Sequence, residues 1–197
     1  MSKALAVLPL AVLLAAPPAF AEGLAPQSYV GLSAGQSTSS FDARDVSGLG
    51  SVSASDNLRK TAYKFYVGYD FNRNWGAEVG YADLGRPGFA YTSGGLPGSA
   101  EGKESAWYLA AKGNVPVGER FNLFGKLGGT RNRLEVNGTD AAKTDWLLGV
   151  GAEYNVSKQV GVRLEYEDFG RFGDDNSVGQ SRATAWTLGV TFKSMSF

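Results

Sequence analysis

NWGAEVGYADLG, residues 74–85, decides how this chain folds. Trp75, Ala77, Val79 and Tyr81 alternate with Gly76, Glu78, Gly80 and Ala82. A period of two is that of a β-strand with two different faces. One face is apolar and aromatic. The other is small, except for the carboxylate of Glu78. The fold turns on which face meets water and what Glu78 meets.

Seven further segments alternate in the same way. With the first they run Tyr29–Ser37, Ala62–Phe71, Trp75–Ala82, Ala106–Val115, Phe121–Thr130, Trp146–Tyr154, Val160–Glu167 and Ala183–Lys193. Most have the length of a tilted strand that crosses a bilayer. Asn72–Asn74, Pro116–Arg120 and Asn155–Gln159 are hairpin-sized turns. Thr38–Thr61, Asp83–Ser105, Arg131–Asp145 and Asp168–Arg182 are long and rich in Gly, Ser, Asp and Asn, and read as loops. Short and long connections in alternation are the layout of an eight-stranded antiparallel up-and-down transmembrane β-barrel, an all-β fold. The short turns then face the periplasm and the long loops face outside. VGYDFNRNWGAEVGYADLG (67–85) echoes VGAEYNVSKQVGVRLEYEDFG (150–170), and shared strand physics accounts for the repeat.

The N-terminus reads as a signal peptide, residues 1–21. Lys3 precedes the apolar run Ala4–Ala16, and Ala19-Phe20-Ala21 is an A-x-A site with cleavage after Ala21. Residues 22–197 are the barrel domain. Cleavage leaves 176 of the 197 residues, with 18 basic and 19 acidic side chains. No basic excess points to nucleic acid. Cysteine and histidine are both absent, so disulfides do not hold the fold, and the commonest general base and metal ligand is missing. No cofactor or metal site is expected.

Charge phase places every strand charge on one face. Within the eight segments the charges are Lys64, Asp70, Glu78, Lys112, Lys126, Glu153, Arg163, Glu165, Glu167 and Lys193. All ten oppose the apolar face, five of each sign. A soluble, lipocalin-like periplasmic barrel and a membrane barrel both allow this. Aromatic placement separates them. Tyr63, Tyr81, Trp107, Trp146, Tyr166 and Trp186 cluster toward the long-loop end of the apolar face; Phe71, Trp75, Phe121, Tyr154 and Phe192 cluster toward the short-turn end. Two aromatic girdles around an aliphatic band indicate lipid contact. Eight strands also enclose too little space for this many rings. Glu78 therefore points into the lumen. Lys112, on the next strand around the barrel at similar depth, and Arg163, across the lumen, are both candidate partners. The same charges fit a structural salt-bridge core or a switchable plug.

On these segments the chain resembles the OmpA-like eight-stranded outer-membrane barrel superfamily. The resemblance rests on YVGLSAG (29–35), WGAEVGYADLG (75–85), VPVGERFNLFGKLGG (115–129), GVGAEYNVSKQVGVRLEYEDFG (149–170) and TLGVTF (187–192). It implies a lumen network of Glu, Lys, Glu and Arg that blocks or gates a pore. Matched strand positions give Glu78, Lys112, Glu153 and Arg163, with Lys64, Lys126 and Glu165 beside them. It implies contact with outer-membrane lipid and lipopolysaccharide, and with the outer-membrane assembly machinery, which reads an aromatic C-terminal residue. Phe197 supplies one but is out of phase with Leu188, Val190 and Phe192, so either a bulge intervenes or Phe192 ends the strand. The chain ends soon after the eighth segment, so the resemblance does not extend to a cell-wall-binding domain.

Catalysis is not expected. Without histidine a Ser–His arrangement cannot form. Glu165 and Glu167 share one strand face as paired carboxylates would, but an eight-stranded lumen leaves no room for a sugar. Asn137-Gly138-Thr139 fits turn chemistry better than glycosylation. Two roles remain: a structural or surface-interaction barrel whose loops contact a host or surface ligand, and a minor ion-conducting pore.

Overall fold

The computed structural model describes residues 26–41, 58–86, 88–93, 96–136, 139–172 and 181–194. Nine strands lie in this part: β1 Gln27–Phe41, β2 Leu58–Asp70, β3 Trp75–Gly85, β4 Gly88–Ser93, β5 Leu96–Val117, β6 Phe121–Val136, β7 Thr139–Asn155, β8 Val160–Phe172 and β9 Ser181–Lys193. Each barrel strand pairs antiparallel with its neighbours. β1 pairs with both β2 and β9, and β3 pairs with β5, so the eight strands other than β4 close on themselves. Closure satisfies every strand edge, which is what a bilayer requires of a spanning sheet. The cleavage site at Ala19 and Ala21, and the aromatic Phe197, lie outside the described residues.

The strands are longer than the alternating segments. β6 and β7 stay in register from Phe121↔Tyr154 out to Val136↔Thr139, so most of the expected loop Arg131–Asp145 is a two-stranded arm. The expected loop Asp83–Ser105 likewise holds β4, paired with the outer part of β5 from Ser93↔Leu96 to Gly88↔Glu101. The reason is solvent. An apolar stripe marks a strand only where one face meets lipid or core. Beyond the bilayer the exposed face of a hairpin need not be apolar, while the backbone ladder persists.

The apolar face points outward. Leu32, Leu109, Trp146 and Val150 are each more than 60% exposed, whereas Glu78 and Arg163 are 1% exposed. The aromatic residues of the two expected girdles lie on that outer face. Cross-strand partners Tyr81 and Trp107 stack at 5.0 Å between ring centroids, and Tyr166 and Trp186 at 4.8 Å. Trp146 and Tyr154 are eight residues apart on β7. Tilted strands make that about 20 Å, close to the apolar height of an outer-membrane barrel.

Aromatic rings also enter the lumen, contrary to the expectation from its width. Tyr29, Tyr66, Tyr108 and Phe124 are buried there. Each lies over a glycine directly across the strand pair: Gly68, Gly31, Gly80 and Gly151 respectively. A Cβ added at Gly31 would sit 2.2 Å from the Tyr66 ring. The missing side chains make the room that the barrel radius does not.

Candidate functional site

Glu78 projects from the middle of β3 between Gly68 and Ala110, neither of which offers a polar side chain. Its partners must come from farther around the barrel. Lys126 Nζ donates to Oε1 at 2.9 Å and Arg163 Nη1 to Oε2 at 2.7 Å. The hydroxyls of Tyr108 and Tyr29 donate to the same two oxygens at 2.7 and 2.9 Å. Four donors satisfy the acceptor sites of one carboxylate. Two of them carry charge, which strengthens the bonds.

From Glu78 the network spreads in both directions. Lys126 also donates to Glu167 Oε1 at 2.5 Å and lies 2.7 Å from Glu165 Oε1. Lys64 binds both Glu165 and Glu167. Arg163 Nε donates to Glu153 at 3.2 Å, and Lys193 pairs with Glu153 from the other side. The Arg163 guanidinium is also enclosed by the rings of Phe124, Tyr66 and Tyr29, at 4.5, 4.7 and 5.2 Å. Charge on the ring faces offsets part of the desolvation of a buried cation.

Lys112 does not reach Glu78. It pairs with Asp70 at 2.9 Å and covers the Tyr29 ring at 4.0 Å. Register gives the cause. Lys112 stands directly across from Lys126 and, through Gly76, in line with Asp70. Like charges in opposed positions repel. Lys126 turns toward the three glutamates, and Lys112 turns toward the short-turn end. The position that resemblance gave to Lys112 is filled by Lys126. All ten strand charges thus find opposite charge inside the lumen.

A second layer lies one step toward the long-loop end, and the sequence reading missed it. Leu84, Leu147, Phe169 and Phe172 are fully buried there, ringed by Ala62, Ala82, Ala106, Ala183 and Ala185. Matching bulges lie at Leu84 and Phe169. Asp83 accepts from the Gly85 N–H at 3.0 Å, and Asp168 from the Gly170 N–H at 3.0 Å. Gly85 and Gly170 hold φ of 87° and 71°, the left-handed region that favours glycine. Leu84 and Phe169 continue the inward phase of Glu78 and Glu167, and the shift after Phe169 brings Phe172 inward as well. The signal is in the sequence: D-L-G (83–85) and D-F-G (168–170) end the two halves of the internal repeat. Above this layer, Ser39 donates to the buried Glu104 at 2.6 Å, and Asn132 bridges the carbonyls of Phe169 and Arg171 at 2.7 and 2.8 Å.

A closed eight-stranded sheet with an apolar exterior and an ion-paired lumen is a bacterial outer-membrane β-barrel. The chain belongs to the outer membrane protein beta-barrel domain family, which matches residues 6–193. It is 31% identical over 169 residues to outer membrane protein P5 of Haemophilus influenzae, covering 74% of this chain and 45% of P5. It is 29% identical over 142 residues to outer membrane protein A of Serratia marcescens, covering 65% of this chain and 38% of that protein. The chain thus spans less than half the length of these curated relatives. Among solved structures it is similar to Ail, the attachment invasion locus protein of Yersinia pestis, in complex with the heparin analogue sucrose octasulfate (TM-score 0.59, 19% identity, 87% of this chain and 100% of that one). It is also similar to Neisserial surface protein A (TM-score 0.58, 18% identity, 84% and 96%). At these identities the two structures establish the fold.

Proposed function

We propose that this barrel has a structural and surface-contact role, with its lumen closed at rest, and that it is not an enzyme. The observation that carries this reading is the pair of stacked lumen layers. Around Glu78 every charge is bonded, and immediately outward Leu84, Leu147, Phe169 and Phe172 meet across the axis. An ion entering from outside meets the apolar layer before it can exchange partners with the ionic one. The β6–β7 arm and the β4–β5 hairpin extend past the outer girdle and offer surface for a host or environmental ligand. Insertion by the outer-membrane assembly machinery completes the reading. The absence of histidine argues against Ser–His hydrolysis.

Planar-bilayer recording tests closure. The wild type should show at most rare, brief openings. Glu78→Gln alone and Phe169→Ser alone should remain largely closed, because the intact layer still blocks. The double variant should conduct steadily. Steady conductance by the wild type would replace this reading with that of a minor ion pore. Surface contact is tested separately by removing residues 134–141 from the tip of the β6–β7 arm. Barrel folding should persist while adhesion of expressing cells to host surfaces falls.

A further inference from the structure

Two ladders of the barrel stop short at its outer end. The β2–β3 ladder ends at Tyr63↔Asp83, although β2 stays paired with β1 out to Leu58. The β7–β8 ladder ends at Leu148↔Asp168, although β7 stays paired with β6 out to Thr139. The remaining ladders continue: β5–β6 reaches Gly102↔Val136, β8–β9 reaches Phe172↔Ser181 and β1–β9 reaches Phe41↔Ser181. The two gaps lie on opposite sides of the barrel. The outer end is therefore a pair of half-sheets separated by two seams. One half is β3, β5, β6 and β7, with β4 paired to β5; the other is β8, β9, β1 and β2.

Side chains, not ladders, hold the halves together along the seams. Ser37 of β1 donates to the Leu84 carbonyl of β3, and Ser39 of β1 to Glu104 of β5, each at 2.6 Å. Asn132 of β6 donates to the Phe169 and Arg171 carbonyls of β8 at 2.7 and 2.8 Å, and Asp145 of β7 accepts from the Arg171 N–H at 2.8 Å. The apolar layer supplies the rest of the contact. Leu84 and Leu147 come from one half, Phe169 and Phe172 from the other. A bulge glycine of positive φ stands at the foot of each seam, Gly85 in one half and Gly170 in the other. A change of angle is absorbed there with little steric cost.

We propose that the outer end of the barrel opens as two half-sheets, which part along both seams and expose the apolar layer to the outside while the ionic layer stays shut. Parting the halves breaks no backbone ladder. It costs the side-chain bonds just described and the apolar contact, whereas separating a continuous strand pair costs a ladder as well. Deeper in the barrel there is no seam: Glu78 and Arg163 each stand on a strand paired on both sides. A surface ligand that bridges the halves would keep the apolar layer covered, and one held by a single half would not. Opening of this kind rests on the two-layer lumen proposed above and adds the motion of its outer layer.

The chain has no cysteine, so a single introduced thiol reports on a single place. Ala106→Cys puts it in the apolar layer, and Ala110→Cys puts it directly across from Glu78; both alanines are buried. A membrane-impermeant maleimide is applied to the protein folded in phospholipid nanodiscs. The Ala106→Cys thiol should react slowly. Adding Asn132→Ala, which removes two bonds at one seam, or Ser37→Ala, which removes the bond at the other, should raise its rate about tenfold. Arg182→Ser breaks an ion pair with Asp168 inside one half and should leave the rate unchanged. The Ala110→Cys thiol should stay unreactive in every background. Folding is checked by heat-dependent gel mobility, and Asn132→Ala and Ser37→Ala serve independently if one of them fails to fold. Equal rates with and without these bonds would overturn the proposal. So would a parallel rise at Ala110→Cys, since the barrel would then be opening as a whole. Bilayer conductance separates this from closure of the lumen: steady current through the wild type would end the closed-lumen reading, while the thiol rates would still decide whether the halves part.

Discussion

The lumen holds two neighbouring layers that exclude water by different means. Around Glu78, Lys126 and Arg163 the interior is ionic and edged by aromatic rings, and it is stable because each charged side chain is met by an opposite charge. One step outward, Leu84, Leu147, Phe169 and Phe172 carry no charge at all and exclude water by packing. The ionic layer tolerates no lost partner, because a stranded charge keeps its desolvation cost. The apolar layer loses only contacts and area when one side chain shrinks. Substitutions in the first layer should therefore be harsher than substitutions of equal volume in the second.

The largest effect is expected at Lys126. It is the cation shared by Glu78, Glu165 and Glu167. Lys126→Met keeps the length of the side chain and removes the charge, leaving three carboxylates to Lys64 and Arg163. The expected loss is about 3–5 kcal/mol in urea unfolding from detergent or lipid. Lys112→Met, which frees only the half-buried Asp70, should cost clearly less. Equal costs for the two lysines would mean that the network is not organised around Lys126.

These two lysines also mark how far the sequence carries. The phase of the charges is legible because alternation depends only on the two-residue period of a strand. Lys126 and Lys112 are both placed in the lumen by it. Which lysine reaches Glu78 depends on register across three strand pairs and on the repulsion between Lys112 and Lys126, and no local pattern encodes that. The apolar layer failed to appear for a different reason. Leu84 and Phe169 follow aspartates that look like the beginnings of loops. Both keep the inward phase of Glu78 and Glu167, but they lie past the ends of the alternating segments, and the shift after Phe169 that turns Phe172 inward is invisible to alternation. The buried tyrosines hide likewise, since their room comes from glycines on partner strands. The outer part of β6 resembles a loop in sequence because Arg131, Arg133 and Glu135 on its exposed face carry no apolar stripe.

The second effect separates inside from outside. Val79 is adjacent to Glu78 in sequence and belongs to the exterior face, level with Val67 and Leu109. A lysine near the bilayer midplane costs about 2–4 kcal/mol. Val79→Lys should show that penalty when unfolding is followed in lipid vesicles. Glu78→Ala should cost about 1–3 kcal/mol, because Lys126 keeps Glu165 and Glu167 and Arg163 keeps Glu153 as counter-ions. If Val79→Lys inserts and folds as the wild type does, the lipid-facing side has been assigned to the wrong surface.

The smallest effect concerns the bulge that turns Phe172 inward, and a turn glycine supplies its comparison. Gly170 and Gly118 have nearly the same backbone, with φ of 71° and 70°. An alanine at either position pays for the left-handed conformation, about 1 kcal/mol. Around Gly118 nothing lies within 4 Å of an added Cβ, so Gly118→Ala should cost only that. At Gly170 the added Cβ would stand 2.7 Å from Asp145 Cγ. Asp145 caps the amides of Trp146 and Arg171, so it cannot yield without uncovering one of them. Gly170→Ala should therefore cost about 2 kcal/mol, the excess over Gly118→Ala being the lost cap, within the usual range for an unmet amide. Hydrogen exchange gives the sharper reading: faster exchange at Arg171 in Gly170→Ala, and none of that change in Gly118→Ala. Equal stability loss in the two variants, with Arg171 still protected, would show that the bulge holds its shape without help from Asp145.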